Sequence, residues 1–272
     1  MTRTVNTYCQ WHFGDNLVHL NFLRKQAIAH PDILFVHYCD PKQHQQLAEV
    51  ISDLPNLKVC GEEIPKDAID AWINTGAKHM GPNGWDQKGY LDTHKHRWDW
   101  VNFHLDWFAR LSKLMQLENP VKTPMDLLFD VPNIHKSKAG GKDFDFLIIN
   151  SKPASGQLPS FHDFCFDQLI FRLRGRGYSV ACTQNTHIQG CFVTSQNQYS
   201  LLDIGNLSLR VKYIVGVSTG PIWLCSNIWN VESVKYRIVI HGQPMRVHLP
   251  GHGCHVSSVD QAIQKLQELR LI

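Results

Sequence analysis

The 272-residue sequence lacks the long apolar run that a membrane-spanning helix requires. Such a helix needs about 20 consecutive, mostly apolar residues, and no window of the chain approaches that length. The N-terminal segment MTRTVNTYCQWHFGDN also lacks the continuous apolar core of a secretory signal peptide. These absences argue against a membrane-spanning or exported protein. We expect a cytoplasmic protein, with peripheral association with a membrane left open.

Strong net charge and paired cysteine motifs are missing as well. The formal charge is only +3 and charged residues make up an ordinary 19%, so nucleic acid is not an expected partner. The 8 cysteines contain no C-x-x-C pair, and several lie inside apolar runs, which favours buried reduced thiols over a disulfide framework. The 16 histidines are spread along the chain and do not indicate one metal cluster. We predict neither a metal nor a bound cofactor.

The chain does have alternating strand and helix patterns, and their order predicts an α/β fold. In the first part, strands are expected at residues 5–10, 33–39 and 57–60, with helices at 16–30 and 41–54. The segment ILFVHYC is continuously apolar, which is typical of a strand buried on both faces of a parallel sheet. This β-α-β-α-β order predicts a Rossmann-like domain. A short helix at 64–74, a glycine-rich loop at 75–91 and a long helix at 94–117 would follow it.

A second α/β series follows a segment that resembles a linker. Residues 118–143 contain several prolines and the run KSKAGGK, a composition typical of interdomain linkers. Strands are then expected at 144–150, 178–183, 213–217 and 234–240, with helices at 161–174, 201–211, 221–229 and 259–270. We therefore predict an N-terminal domain at 1–130, a linker at 131–143 and a C-terminal domain at 144–272.

The stretch YIVGVSTGPIWLCSNIWN, residues 213–230, predicts a strand, a turn and a helix in succession. The turn is Ser218-Thr219-Gly220, and Pro221 suits the start of a helix because its missing N–H would be unpaired there anyway. The free N–H groups of a helix start can bind a phosphate or diphosphate. The alternative is an ordinary strand-turn-helix unit, of which every α/β protein has several.

Two charged residues follow predicted strands at the end where open α/β sheets bind ligands. Asp15, in Gly14-Asp15, could act as a general base towards an acceptor hydroxyl. On position alone, capping of the first helix is the favoured interpretation. Lys152 could neutralise a phosphate, with Ser151 and Ser155 as hydroxyl donors, although a solvated loop lysine is the commoner outcome.

Three segments together resemble the glycosyltransferases typified by lipopolysaccharide heptosyltransferases. The chain is thus similar to glycosyltransferase family 9. They are HFGDNLVHLNFLRKQA, INSKPASGQ and DIGNLSLRVKYIVGVSTGPIWLCSNIW, in the family's order. The resemblance implies a GT-B fold, in which two Rossmann-like domains face a central cleft. It also implies that Asp15 deprotonates the acceptor, with His12, Gly14 and Asn16 in the acceptor loop.

On the donor side, the resemblance implies a nucleotide-sugar as co-substrate. Ser218, Thr219, Gly220 and Trp223 would hold its diphosphate, and Lys152 would neutralise the leaving group. A metal-independent, inverting transfer to a glycan or lipid-linked acceptor would follow. The chain departs from the family at Ser218, where an Asp is frequent, and at Trp223, where a His is frequent. A heptose donor is therefore not assumed.

Three alternatives remain open at the level of sequence. The first is a non-catalytic nucleotide- or glycan-binding protein that keeps the GT-B fold. The second is another α/β enzyme for a phosphorylated metabolite, with its whole site in one Rossmann-like half. The third is a zinc site formed by His252, Cys254 and His255 together with the HKH segment at 94–96, although no second ligand group stands at a recognisable spacing.

Overall fold

The fold contains two compact units, one ending at Asn133 and the other beginning at Ile134. The structure is a computed structural model. It describes residues 3–10, 12–71, 100–136, 143–153, 161, 166–241 and 250–272. Within these ranges, no helix combines the length and the apolar character needed to cross a bilayer.

The first unit is built on a parallel sheet with the strand order β3-β2-β1-β4. The strands are β1 (Arg3–Tyr8), β2 (Ile33–Tyr38), β3 (Leu57–Cys60) and β4 (Ile69–Asp70). The helices are α1 (Phe13–Ala29), α2 (Pro41–Val50) and α3 (Trp100–Leu114). The predicted β-α-β-α-β order is confirmed, and α1 and β2 bury apolar side chains such as Leu20, Phe22 and Phe35 in this core.

Two predictions for the first unit were wrong in part. In the described portion of residues 64–74 there is no helix; Ile69–Asp70 instead pairs in parallel with Thr7–Tyr8. Residues 118–130 are not an open linker, because Leu127, Leu128 and Phe129 are buried and Pro124–Leu127 forms a 3-10 helix. The predicted loop at 75–91 lies outside the described residues, as does the 94–99 part of the predicted long helix.

The second unit has a six-stranded parallel sheet with the order β10-β9-β8-β5-β6-β7. Its strands are β5 (Phe144–Ile149), β6 (Val180–Cys182), β7 (Phe192–Val193), β8 (Val211–Val217), β9 (Tyr236–Ile240) and β10 (Gly253–Val256). From β5 the chain adds β6 and β7 on one side, then crosses over and adds β8, β9 and β10 on the other. This is the doubly wound order of dinucleotide-binding folds, and its topological switch point lies between β5 and β8.

Helices cover both faces of this sheet, and a buried apolar cluster lies on each face. They are α4 (Asn133–Lys136), α5 (Asp167–Gly175), α6 (Leu201–Ser208), α7 (Gly220–Leu224), α8 (Asn230–Ser233) and α9 (Val259–Glu268). Ser200 and Asp203 form a reciprocal capping box at the start of α6. The short elements β7, α8 and β10 had no sequence prediction.

Helix α7 is much shorter than the predicted helix at 221–229, since it spans only the five residues Gly220–Leu224. Asparagine side chains end it by bonding the carbonyl groups that a longer helix would use. Asn227 Nδ2 donates to Leu224 O at 2.8 Å, and Asn230 Nδ2 donates to Cys225 O at 2.9 Å. Such local bonds compete with helix continuation. A helix this short carries little macrodipole, so the anion-site argument loses that contribution.

Candidate active site

The first candidate region lies where β1 ends and α1 begins. His12 occupies the N-cap position with extended backbone angles, and its side chain makes no capping bond. Asp15 is the third residue of the helix, and its backbone N–H donates to His12 O at 3.1 Å. The favoured interpretation of Asp15 as the N-cap was therefore wrong, because the helix begins at Phe13 and His12 already holds that position. Gly14 is the second residue of the helix.

The side chains of His12 and Asp15 form a pair at this helix end. His12 Nδ1 lies 3.7 Å from Asp15 Oδ2, an ion-pair distance that is long for a hydrogen bond. The two side chains are 40% and 29% exposed, so the carboxylate is accessible to a ligand. The interaction with Asp15 raises the pKa of His12, and it outweighs the partial burial that acts in the opposite direction. An acidic residue in the first helical turn is also favoured by the helix dipole.

Asn16, predicted to belong to the acceptor loop, is fully buried. Its Nδ2 donates to Gln43 Oε1 at 3.1 Å, and its Oδ1 lies 2.8 Å from His37 Nε2. The side chain therefore ties α1 to α2 and β2. These contacts within the unit account for its buried position.

The second candidate region is the switch point of the second unit. Strands β5 and β8 are in register, with Ile149 opposite Gly216. Ser151 and Lys152 follow β5, while Ser218, Thr219 and Gly220 follow β8, so the two predicted segments emerge at the same edge of the sheet. The sheet order brings these predicted donor residues together. Ser155 lies outside the described residues.

Gly216 permits the close approach of β5 and β8 just before both strands end. A Cβ atom at Gly216 would lie 2.4 Å from Ile149 Cβ and 3.1 Å from Ile149 O. Real Cβ atoms are not found at the shorter distance, and the atoms in the way belong to a strand of the core. A glycine is therefore required for this spacing at the switch point.

The turn after β8 is held by the backbone. Ser218 N donates to Ile240 O at 2.9 Å and Thr219 N donates to Val217 O at 2.7 Å. Thr219 occupies the N-cap position of α7, but its hydroxyl makes no capping bond. Trp223, the remaining predicted donor residue, packs against the apolar cluster on one face of the sheet.

Asn150 and Thr183 join the ends of β5 and β6, and sequence reasoning missed both residues. Thr183 Oγ1 donates to Asn150 Oδ1 at 3.1 Å and lies 3.0 Å from Ser151 Oγ, while Gln184 N donates to Asn150 Oδ1 at 2.8 Å. Asn150 and Thr183 are buried, so these bonds are shielded from water. A signal was present, because each is a polar residue directly after a buried strand.

A pocket of about 510 Å³ lies beside the hydrogen-bonded pair of Asn150 and Thr183. It is lined by Asn150, Ser151, Lys152, Phe161, Gln184, Asn185, Thr186 and His187. Lys152 is exposed and, within the part of the chain that the structure describes, no carboxylate pairs with it. Asp167, at the start of α5, accepts from Thr186 Oγ1 at 2.6 Å and lies 2.9 Å from His187 Nδ1. The pocket thus combines the Lys152 ammonium group with amide and hydroxyl groups.

The residues that the structure describes do not form the zinc site of the third alternative. Among the described residues, no group of three or more His, Cys, Asp or Glu side chains is arranged to hold a metal ion. Cys254 and His255 are consecutive residues of β10, and consecutive side chains of a strand point to opposite faces of the sheet. The HKH segment at 94–96 lies outside the described residues.

Comparison with known proteins finds likeness in structure and none in sequence. No family model and no curated protein matches the chain. E. coli heptosyltransferase WaaC with ADP-2-deoxy-2-fluoro heptose superposes with a TM-score of 0.58 at 12% identity, over 98% of this chain and 99% of that one. The E. coli ADP-heptose LPS heptosyltransferase II gives 0.57 at 12% identity, over 98% of each chain.

The fold is that of the heptosyltransferases. The predicted α/β, GT-B fold class is thereby confirmed, and at this level of identity the likeness concerns the fold. A third match is the bacterial iron-containing dodecameric glycosyltransferase TibC from enterotoxigenic E. coli H10407, with a TM-score of 0.53 at 14% identity. That match covers 88% of this chain, and the chain spans only 58% of TibC.

Proposed function

We propose that this protein is a glycosyltransferase that moves a sugar from a nucleotide-diphosphate donor to a hydroxyl group of a glycan or lipid-linked acceptor. One observation carries the proposal. In a fold shared with heptosyltransferases, Lys152 and the turn at residues 218–220 emerge together at the switch point of a doubly wound sheet. Ligands of open α/β sheets bind at that position.

The second unit would hold the donor. The diphosphate would lie against the turn formed by Ser218, Thr219 and Gly220, and the Lys152 ammonium would neutralise part of its charge. The nucleoside would extend into the pocket between the ends of β5 and β6. Two named matches support a nucleotide-sugar, since one is described with an ADP-heptose analogue and the other as an ADP-heptose enzyme. The base and the sugar used by this chain are left open by the proposal.

The first unit would supply the base. The Asp15 carboxylate is accessible and could accept the proton of an acceptor hydroxyl as its oxygen attacks the anomeric carbon. The bond from that carbon to the diphosphate would break on the opposite side, so the configuration inverts. Lys152 and the turn would stabilise the departing nucleoside diphosphate electrostatically, without a metal.

A thermal-shift panel with UDP, GDP, ADP and CMP tests the donor site, with EDTA in one arm and a divalent metal in another. A ligand at 100 times its dissociation constant should add about 2.7 kcal/mol to the stability of the folded state. We expect one nucleoside diphosphate to stabilise the protein in EDTA. Lys152→Ala should weaken that shift. Lys235→Ala removes the same charge from an exposed lysine just before β9, at the opposite end of the sheet, and should leave the shift unchanged.

Release of nucleoside diphosphate from the matching nucleotide-sugar then separates an enzyme from a non-catalytic binder. We expect slow release by the wild-type protein, faster release with an acceptor, and loss of the acceptor-stimulated part in Asp15→Asn. Binding without any release would favour the non-catalytic alternative. If no nucleotide binds in any arm, the donor site is wrong.

A further inference from the structure

A chain of buried hydrogen bonds lies beneath the first turn of α1. His19 Nε2 lies 3.3 Å from Thr7 Oγ1, and Thr7 Oγ1 lies 3.0 Å from His37 Nδ1. His37 Nε2 lies 2.8 Å from Asn16 Oδ1. Each of these four residues is either completely inaccessible to solvent or nearly so. The chain therefore runs from the middle of α1, through β1 and β2, back to the start of the same helix.

The Asn16 amide determines which atom donates in each of these hydrogen bonds. Asn16 Nδ2 donates to His12 O at 3.3 Å and to Gln43 Oε1, so Asn16 Oδ1 is the atom that faces His37. His37 must then carry its proton on Nε2 and accept from the Thr7 hydroxyl at Nδ1. The Thr7 oxygen is left to accept from His19 Nε2–H. This assignment leaves His19 Nδ1 as an unprotonated nitrogen, and that buried atom has no hydrogen-bond partner among the described residues.

The imidazoles of His19 and His37 both remain neutral near pH 7, so the donor and acceptor roles in these hydrogen bonds do not change there. Burial lowers the pKa of His37 to about 3. Burial, followed by the neighbouring His37, also lowers the pKa of His19 well below its ordinary value. The rings are close, with centroids 4.9 Å apart, so charging either one would be unfavourable for both. The chain is a fixed support and does not titrate over the physiological range.

The Asn16 side chain links the first turn of α1 to this buried chain of hydrogen bonds. The His12 side chain makes no capping bond, and His12 O accepts from Asn16 Nδ2 as well as from the backbone N–H groups of Asp15 and Asn16. The His12 and Asp15 side chains are themselves partly exposed, and exposed pairs hold their geometry weakly. Their spacing is therefore set by the backbone turn that Asn16 holds in place.

We propose that Thr7, His37 and Asn16 are positioning residues that fix the His12–Asp15 pair. The catalytic meaning of this inference rests on the proposed function, in which Asp15 is the base. The positioning itself does not depend on that function. A residue that only supported the core would change the stability of the first unit and leave the His12–Asp15 interaction as it is.

The pKa of His12, measured by long-range ¹H–¹⁵N NMR and assigned with a His12→Gln variant, reports the pair directly. Asp15→Asn defines the lower pKa of His12 without its partner. We expect Asn16→Ala to lower the His12 pKa part of the way to that value. Thr7→Val, which keeps the shape of the side chain, should lower it as well, and Thr7→Ser should restore it. Thr194→Val removes a buried hydroxyl from the second unit and should have no effect.

Thr7→Val keeps the test decisive if Asn16→Ala does not fold. A folded Thr7→Val or Asn16→Ala protein with the wild-type His12 pKa would overturn the inference, even if its melting temperature fell. The outcome is separate from that of the proposed function, because the NMR measurement needs no substrate. A lowered His12 pKa in a protein that transfers no sugar would support the positioning and refute the role of Asp15 as base.

Discussion

Replacement of Gly216 by alanine should destabilise the second unit, although the same replacement usually helps. An alanine in place of glycine reduces the entropy of the unfolded chain and stabilises a protein by about 0.4–1 kcal/mol where the backbone and the space allow it. At Gly216 the added Cβ would meet Ile149 Cβ at 2.4 Å. The two strands would have to separate where they are paired in register.

The size of the effect follows from the atoms in the way. Overpacking in a close-packed core costs about 1–3 kcal/mol, because backbone shifts or strained side chains must absorb it. Ile149 is fully buried, and the Cβ and Cα atoms that the new methyl group approaches cannot move by rotation of a side chain. We therefore expect Gly216→Ala to lower the free energy of unfolding by about 1–3 kcal/mol.

Urea unfolding followed by far-UV circular dichroism measures this difference. Gly175→Ala is the matched control, because Gly175 ends α5 in the same unit and a Cβ there would meet no heavy atom within 4 Å. The control should be neutral or slightly stabilising. If Gly216→Ala is as stable as wild type while the control behaves as expected, the close approach of β5 and β8 is wrong. The placement of Lys152 beside the 218–220 turn would then lose its basis.

Three further predictions concern buried polar groups and the turn. Thr183→Val should lower the free energy of unfolding by about 1–3 kcal/mol in urea titrations, because the buried Asn150 amide loses a partner. It should also weaken the nucleotide-induced thermal shift. The free energy of unfolding should fall as the pH drops below about 6.5. His37 then binds a proton in the unfolded state, whereas in the folded state burial lowers its pKa to about 3 and it stays neutral. The loss by pH 5 is about 2 kcal/mol for His37 alone, and urea titrations at pH 7 and pH 5 should show a smaller difference in His37→Gln. Asn230→Ala should destabilise the second unit by about 1 kcal/mol or more in urea, because Cys225 O loses the amide that ends α7.

The sequence predicts those strands that are defined by their own composition. Strands β2, β3 and β5 were placed within a residue or two, because each is a continuous or dense apolar run between breakers. The two-residue strands β4 and β7 have no such run, and partners distant in the sequence specify them. Helix α7 shows the opposite failure. Its apolar pattern continues to Trp229, but the side chains of Asn227 and Asn230 end the helix through bonds that no periodicity reveals.

The same distinction explains how much of the candidate site was predictable. The alternation of strands and helices predicts parallel strands, which places Lys152 and the 218–220 turn at one edge of the sheet. That β5 and β8 are neighbours is known only from the structure. The pairing of Asn150 with Thr183 depends on the register of β5 and β6, and the support beneath α1 depends on three-dimensional contacts between residues from Thr7 to His37. Sequence position also made Asp15 look like a helix cap, although the cap residue is His12.

The two candidate regions differ in how rigidly they are built, and this difference bears on their roles. The donor region is clamped by buried bonds between strand ends, and its Lys152 side chain is left exposed and unpaired among the described residues. An ammonium group in that situation is accessible to an anionic ligand. At the other region the carboxylate is already engaged with His12, and the interaction raises the pKa of that histidine. An acceptor must therefore compete with His12 for the carboxylate, and the proposed base should become more available as the pH rises through the pKa of His12.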